Sequence, residues 1–89
     1  MRKIKDLINL NKKVYIILNN NEIREKFMRD AETEGITFGD GVRPTKRKAE
    51  EIMSLQPNGT ICYVGWAGRL CFKSMQENII RIDYEEYIQ

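Results

Sequence analysis

Apolar residues recur along this chain with two different periods, and the switches between them divide it into elements. Between Arg2 and Leu10, Ile4, Leu7 and Ile8 fall at helical spacing among basic residues. Nine residues are too few to hold a helix without tertiary support. Residues 1–12 therefore read as a short amphipathic helix or a basic arm docked on the rest. Lys13-Val14-Tyr15-Ile16-Ile17-Leu18 is β-branched, aromatic and almost unbroken in its apolarity. That is the pattern of a strand buried on both faces. Asn19-Asn20-Asn21 stops it, because Asn side chains bond nearby backbone groups and cap helices. Ile23, Phe27 and Ala31 then stand four residues apart, with Met28 widening the stripe and Glu, Arg and Lys on the wet side, which predicts a helix. Gly35 sits where a helix end calls for the left-handed conformation, and Ile36-Thr37-Phe38 returns to extended chain. Strand, helix and strand together predict a βαβ unit with its two strands parallel.

The second half alternates with period two. Gln56-Pro57-Asn58-Gly59-Thr60 has proline where φ near −65° is needed and glycine where φ is positive, which predicts a type I turn with a G1 bulge. Pairing Gln56 with Thr60 sets Leu55 opposite Ile61 and Met53 opposite Tyr63. A second turn at Trp66-Ala67 sets Ile61 opposite Phe72 and Cys62 opposite Cys71. One face then carries Met53, Leu55, Ile61 and Tyr63, the other Ile52, Ser54, Cys62 and Val64, and a slip of one residue would scramble that separation. Ile79 to Tyr84 is a last strand, followed by a short tail. The expected fold is α+β: a single domain over residues 1–89, in which a βαβ unit followed by an antiparallel meander forms one mixed sheet with one or two helices packed on it.

Size supports one domain, since 89 residues bury roughly 60–65% of their unfolded surface and make a single modest core. Fifteen Lys and Arg against thirteen Asp and Glu leave a net charge of +2, which excludes an acidic mimic of nucleic acid and does not demand a nucleic-acid partner. The chain has no histidine, which removes the commonest general base, the usual catalytic triads and most zinc sites. Asp6, Asn9 and Asn11 interrupt what would be the apolar core of a signal peptide, and the apolar runs are of strand length. These features point to a cytoplasmic protein with no membrane partner. Two cysteines make no disulfide scaffold, and without histidine they make no metal site; Cys62 and Cys71 read as packing residues.

The segment from Phe38 to Lys48 is the first candidate site. Gly39, Asp40 and Gly41 form a turn that exposes backbone N–H groups, Thr45 is placed to cap a short helix running through Glu50, and Arg43, Lys46, Arg47 and Lys48 add positive charge. Together they suit a phosphate or another anion, although the spacing is no Walker loop. Trp66 beside Arg69 at the tip of the second hairpin is the other candidate, suited to stacking a base or anchoring a protein. No pair of carboxylates lies in an apolar setting that would split their pKa values, so no catalytic residue, cofactor or metal ligand is assigned.

Thr37-Phe38-Gly39-Asp40-Gly41, Pro44-Thr45, Asn58 to Tyr63 and Ile80-Arg81-Ile82-Asp83-Tyr84 form a string that resembles a group of small proteins of Firmicutes and of their phages and integrated elements. The similarity runs from about Lys13 to Ile88 and is most specific at Thr37 to Gly41. It implies a phage or mobile-element setting and transfers no activity. The expectation is a non-enzymatic anti-defence inhibitor that docks on a host defence protein or sequesters a small anionic nucleotide between Gly39 and Lys48. The alternative is a nucleic-acid binder whose surface joins Arg2, Lys3, Lys5, Lys12 and Lys13 to the Arg43–Lys48 cluster, with Trp66 stacking. Open sheet edges also allow a homodimer.

Overall fold

The computed structural model of the protein describes residues 2–64 and 79–89. Among them the strands are β1 (Lys13–Ile17), β2 (Thr37–Phe38), β3 (Ile52–Leu55), β4 (Thr60–Tyr63) and β5 (Ile79–Asp83). The helices are α1 (Asn21–Thr33) and α2 (Tyr84–Tyr87), with single 3-10 turns at Ile4–Leu7 and Pro44–Lys46. The strands form one mixed sheet in the order β2-β4-β3-β1-β5. β3 runs antiparallel to β1 and β4, whereas β5 is parallel to β1 and β2 parallel to β4. This is the α+β domain expected from the period changes.

Local rules account for the elements. Asn20 caps α1 by accepting the Ile23 N–H at 2.9 Å. At the other end the Gly35 N–H bonds the Glu32 carbonyl and the Ile36 N–H bonds the Ala31 carbonyl, with Gly35 at φ +80°, which is a Schellman ending. The stripe of Ile23, Phe27, Met28 and Ala31 is buried against Val14, Ile16, Met53, Leu55 and Ile61 on one face of the sheet. On the opposite face Tyr15, Ile52, Val64 and Ile79 form a second, smaller apolar cluster, so β1 is buried on both sides. The β3–β4 register is the one read from the turn: Met53 faces Tyr63, Ser54 faces Cys62 and Leu55 faces Ile61. The Gln56 N–H bonds the Thr60 carbonyl at 2.8 Å and the Gly59 N–H bonds the Gln56 carbonyl at 3.0 Å, with Gly59 at φ +84° as the bulge requires.

The structure departs from the sequence reading in four places. β1 and β2 point the same way but are not neighbours, because β3 and β4 lie between them. With only two residues, β2 suits an edge, whereas every residue of β3 is buried and suits the centre. The outer edge of β4 at Thr60 and Ile61, where the second hairpin was expected, is taken by β2. The expected turn at Trp66-Ala67 and its partners Cys71 and Phe72 lie outside the described residues. No helix runs from Thr45 through Glu50; Pro44 starts a single 3-10 turn that ends at Lys46, where Lys and Arg in a first turn oppose the helix dipole. The expected tail is helical at Tyr84–Tyr87, capped by Asp83, whose carboxylate accepts the Glu86 N–H at 3.3 Å.

Residues 2–12 are bound in place by the far end of α1. Glu32 and Glu34 lie at the C-terminal end of that helix, where the dipole disfavours acids. Glu34 accepts the N–H groups of Ile4 and Lys5 at 2.8 and 2.9 Å, one on each carboxylate oxygen, and Ile4 is fully buried. The Tyr87 hydroxyl donates to the Lys3 carbonyl at 2.6 Å, which ties the arm to α2 as well.

Candidate functional site

The loop after β2 is built as a closed turn. The Gly41 N–H returns to the Phe38 carbonyl, and the Phe38 N–H bonds the Val42 carbonyl, both at 2.9 Å. Asp40 accepts the Val42 N–H at 3.3 Å and makes a two-pronged ion pair with Arg47 at 2.7 and 3.4 Å. The Arg47 guanidinium lies over the Phe38 ring at 4.7 Å. Tyr63 packs on the same ring, and its hydroxyl donates to the Lys48 carbonyl at 2.8 Å. Gly39, Asp40, Gly41 and Arg47 are thus brought together. The Arg47 side chain beside it, helped by the Val42 amide, holds the Asp40 carboxyl below its ordinary range.

Arg43, Thr45 and Lys46 gather around a different acid. Thr45 donates its hydroxyl to Glu32 at 2.6 Å and its N–H to the same oxygen at 3.3 Å. The Thr45 hydroxyl is the largest cause of a lowered Glu32 pKa, and the charges of Arg43 and Lys46 act in the same direction. Thr45 therefore caps no helix; it bonds a carboxylate of α1. Asp40 thus holds the Arg47 guanidinium and Glu32 holds the Thr45 hydroxyl and N–H, both from within the protein itself. Trp66 and Arg69, the other expected site residues, lie outside the described residues.

The two basic clusters also separate. The Pro44–Lys46 turn packs on α1, on one side of the sheet. Lys13 alternates with the core residue Val14 and shares the opposite face with Tyr15. Arg2 lies over the Tyr87 ring at 5.5 Å. Lys13 and the Pro44–Lys46 turn therefore lie on opposite sides of the sheet.

On that opposite face lies a cavity of about 550 Å³ that sequence reasoning did not find. Leu10 to Lys13 wall it, Tyr15, Ser54 and Cys62 line it from β1, β3 and β4, and Gln56 and Pro57 approach from the hairpin turn. Its size falls in the ~300–1,000 Å³ range of small-molecule sites. Gln56 is held in place because its Nε2 donates to Ser54 Oγ at 2.9 Å and to Cys62 Sγ at 3.0 Å. The wall is shaped by Asn9, whose Oδ1 accepts the N–H groups of Asn11 and Lys12 at 2.8 and 2.9 Å. No Asp or Glu is among the described lining residues, and neither Lys12 nor Lys13 makes an ion pair among the described residues. Leu10, 81% exposed, stands at the mouth. The available signal was alternation: Lys13, Tyr15, Ser54 and Cys62 all fall on the face away from α1.

Among the described residues no group of three or more Cys, Asp or Glu is placed to hold a metal ion, and no helix is long and apolar enough to cross a membrane. Comparison with protein-family models, with curated proteins and with solved structures finds no significant match.

Proposed function

We propose that this chain is a non-enzymatic binding protein which holds its target in the cavity on the sheet face opposite α1, and that it serves as an anti-defence inhibitor in the phage or mobile-element setting its sequence resembles. The observation that carries this reading is the contrast in charge between the two candidate sites. Around the 39–47 loop, Arg47 is paired with Asp40, and Glu32 is engaged by Thr45. At the cavity, Lys12 and Lys13 stand with no carboxylate among the described lining residues, above a polar floor already fixed in position. A fixed floor favours binding because little order remains to be imposed when the target arrives.

Phage plating on cells that each carry one defence system, with and without the chain, tests the reading. The expected outcome is that the chain releases at least one system, that Lys12→Ala/Lys13→Ala loses the release, and that Arg43→Ala/Lys46→Ala keeps it. Absence of release across the panel, or loss confined to the Arg43/Lys46 variant, overturns the reading.

A further inference from the structure

We infer that the ligand class of this cavity is a small phosphorylated molecule bearing a planar group with a hydrogen-bonding edge, which is the chemistry of a nucleotide; this rests on the reading of the cavity as the binding site. Two exposed lysines, neighbours in sequence, line a cavity with no acid among its described lining residues, and their charges favour an anion there. Lysines act as mobile point charges and suit phosphate oxygens, which present charge without requiring the planar fork of arginine. The wall that carries them is already shaped, since Asn9 holds the Asn11 and Lys12 amides.

Both Nε2 hydrogens of Gln56 are committed, to Ser54 and to Cys62. Its Oε1 has no partner among the described residues, and the Ser54 hydroxyl, which accepts from Gln56, keeps its own proton to donate. One acceptor and one donor, on two side chains tied by the bond from Gln56 Nε2 to Ser54 Oγ, match the edge of an amide or amino-heterocycle. Lysines at the mouth and a paired acceptor and donor at the floor assign the two ends of the ligand. The phosphate lies outward against Lys12 and Lys13, and the planar group lies inward against Gln56 and Ser54.

Titration calorimetry and melting of the full chain with AMP, a cyclic dinucleotide, inorganic pyrophosphate and adenosine test this assignment. The phosphate-bearing probes are expected to bind and raise the melting temperature, and adenosine to bind at least tenfold more weakly. Lys12→Ala/Lys13→Ala, at two exposed side chains, is expected to weaken AMP at least tenfold while leaving the melting temperature of the free protein within a few degrees of wild type. Gln56→Leu is expected to weaken AMP at least fivefold and leave pyrophosphate within twofold; loss of both probes together overturns the role given to the floor. Failure of every phosphate-bearing probe to bind overturns the ligand class, as does wild-type affinity in the lysine variant. If no probe binds while the same lysine variant still abolishes release of defence in cells, the ligand class falls and the cavity stands as the binding site.

Discussion

Removing Glu34 is expected to detach the N-terminal arm, at a cost that follows from two hydrogen bonds. In the folded protein one carboxylate accepts the Ile4 and Lys5 N–H groups at 2.8 and 2.9 Å, and these bonds span 30 and 29 residues of sequence. A hydrogen bond to a charged group contributes about 1.5–3 kcal/mol when the site is shielded. The Lys5 bond is exposed and recovers much of its loss to water, whereas the Ile4 bond is partly shielded and adjoins a fully buried side chain. Against this, Glu34→Ala removes an acid from the unfavourable end of the α1 dipole and returns about 0.3–1 kcal/mol. The net expectation is a destabilisation of about 2 kcal/mol. In a domain of this size that lowers the melting temperature by roughly 8–16 °C. Glu34→Gln, which sets a donor against one of the two amides, is expected to lose a comparable amount, separating the acceptor pair from mere side-chain volume. The assay is urea denaturation followed by circular dichroism, with hydrogen exchange read at Ile4 and Lys5, where protection is expected to vanish. If Glu34→Ala stays within about 0.5 kcal/mol of wild type and both amides remain protected, burial of Ile4 alone holds the arm and the clasp is refuted.

Tyr84 is held protonated well above its ordinary value, first by burial and then by its hydrogen bond to Asp30 at 2.5 Å, so its contribution to stability is full below about pH 10 and fades as pH rises further. Tyr84→Phe is expected to cost about 1–2 kcal/mol at neutral pH and to flatten the alkaline fall, read from urea midpoints between pH 7 and 11. Asp40 and Glu32 both have lowered folded pKa values, so their contribution is present above their ordinary values of 3.8 and 4.5 and is lost as pH falls below them. Asp40→Asn/Glu32→Gln is therefore expected to show a shallower acid transition than wild type in a pH titration of near-ultraviolet circular dichroism. Gly59→Ala is expected to lose about 1–2 kcal/mol from the φ of +84° alone, since the nearest atom to an added Cβ, Ile8 Cδ1, lies at an ordinary 3.9 Å; the check is thermal denaturation.

The elements that the sequence made legible are those whose causes lie within a few residues. Asn20 and Gly35 bound α1 through contacts made inside one turn, and Pro57 and Gly59 select the hairpin turn and therefore the Met53–Tyr63 register. The candidate site was legible only in part. Gly39 to Arg47 does form a structured turn in which Arg47 meets Asp40, while Thr45 is held by Glu32, thirteen residues before it. Nothing in the spacing of Arg43, Thr45 and Lys46 tells that a helix surface will lie beneath them. The cavity was illegible for a similar reason, since Lys12 and Lys13, Ser54, Gln56 and Cys62 belong to three segments that share a face only once β1 and β4 flank β3.

By itself, then, the sequence determined the class of fold, the bounds of α1, the β3–β4 register and the two-sided burial of β1, because caps, turns and side-chain alternation act over a few bonds. Only the tertiary structure decided the order of the strands, the parallel seat of β5 beside β1, the clasp of Glu34 on the N-terminal arm and the bond of Thr45 to Glu32 of α1. Each of these joins residues distant in the chain. Their pairing is selected by which apolar faces can be buried together, a property of the assembled core that no local pattern encodes.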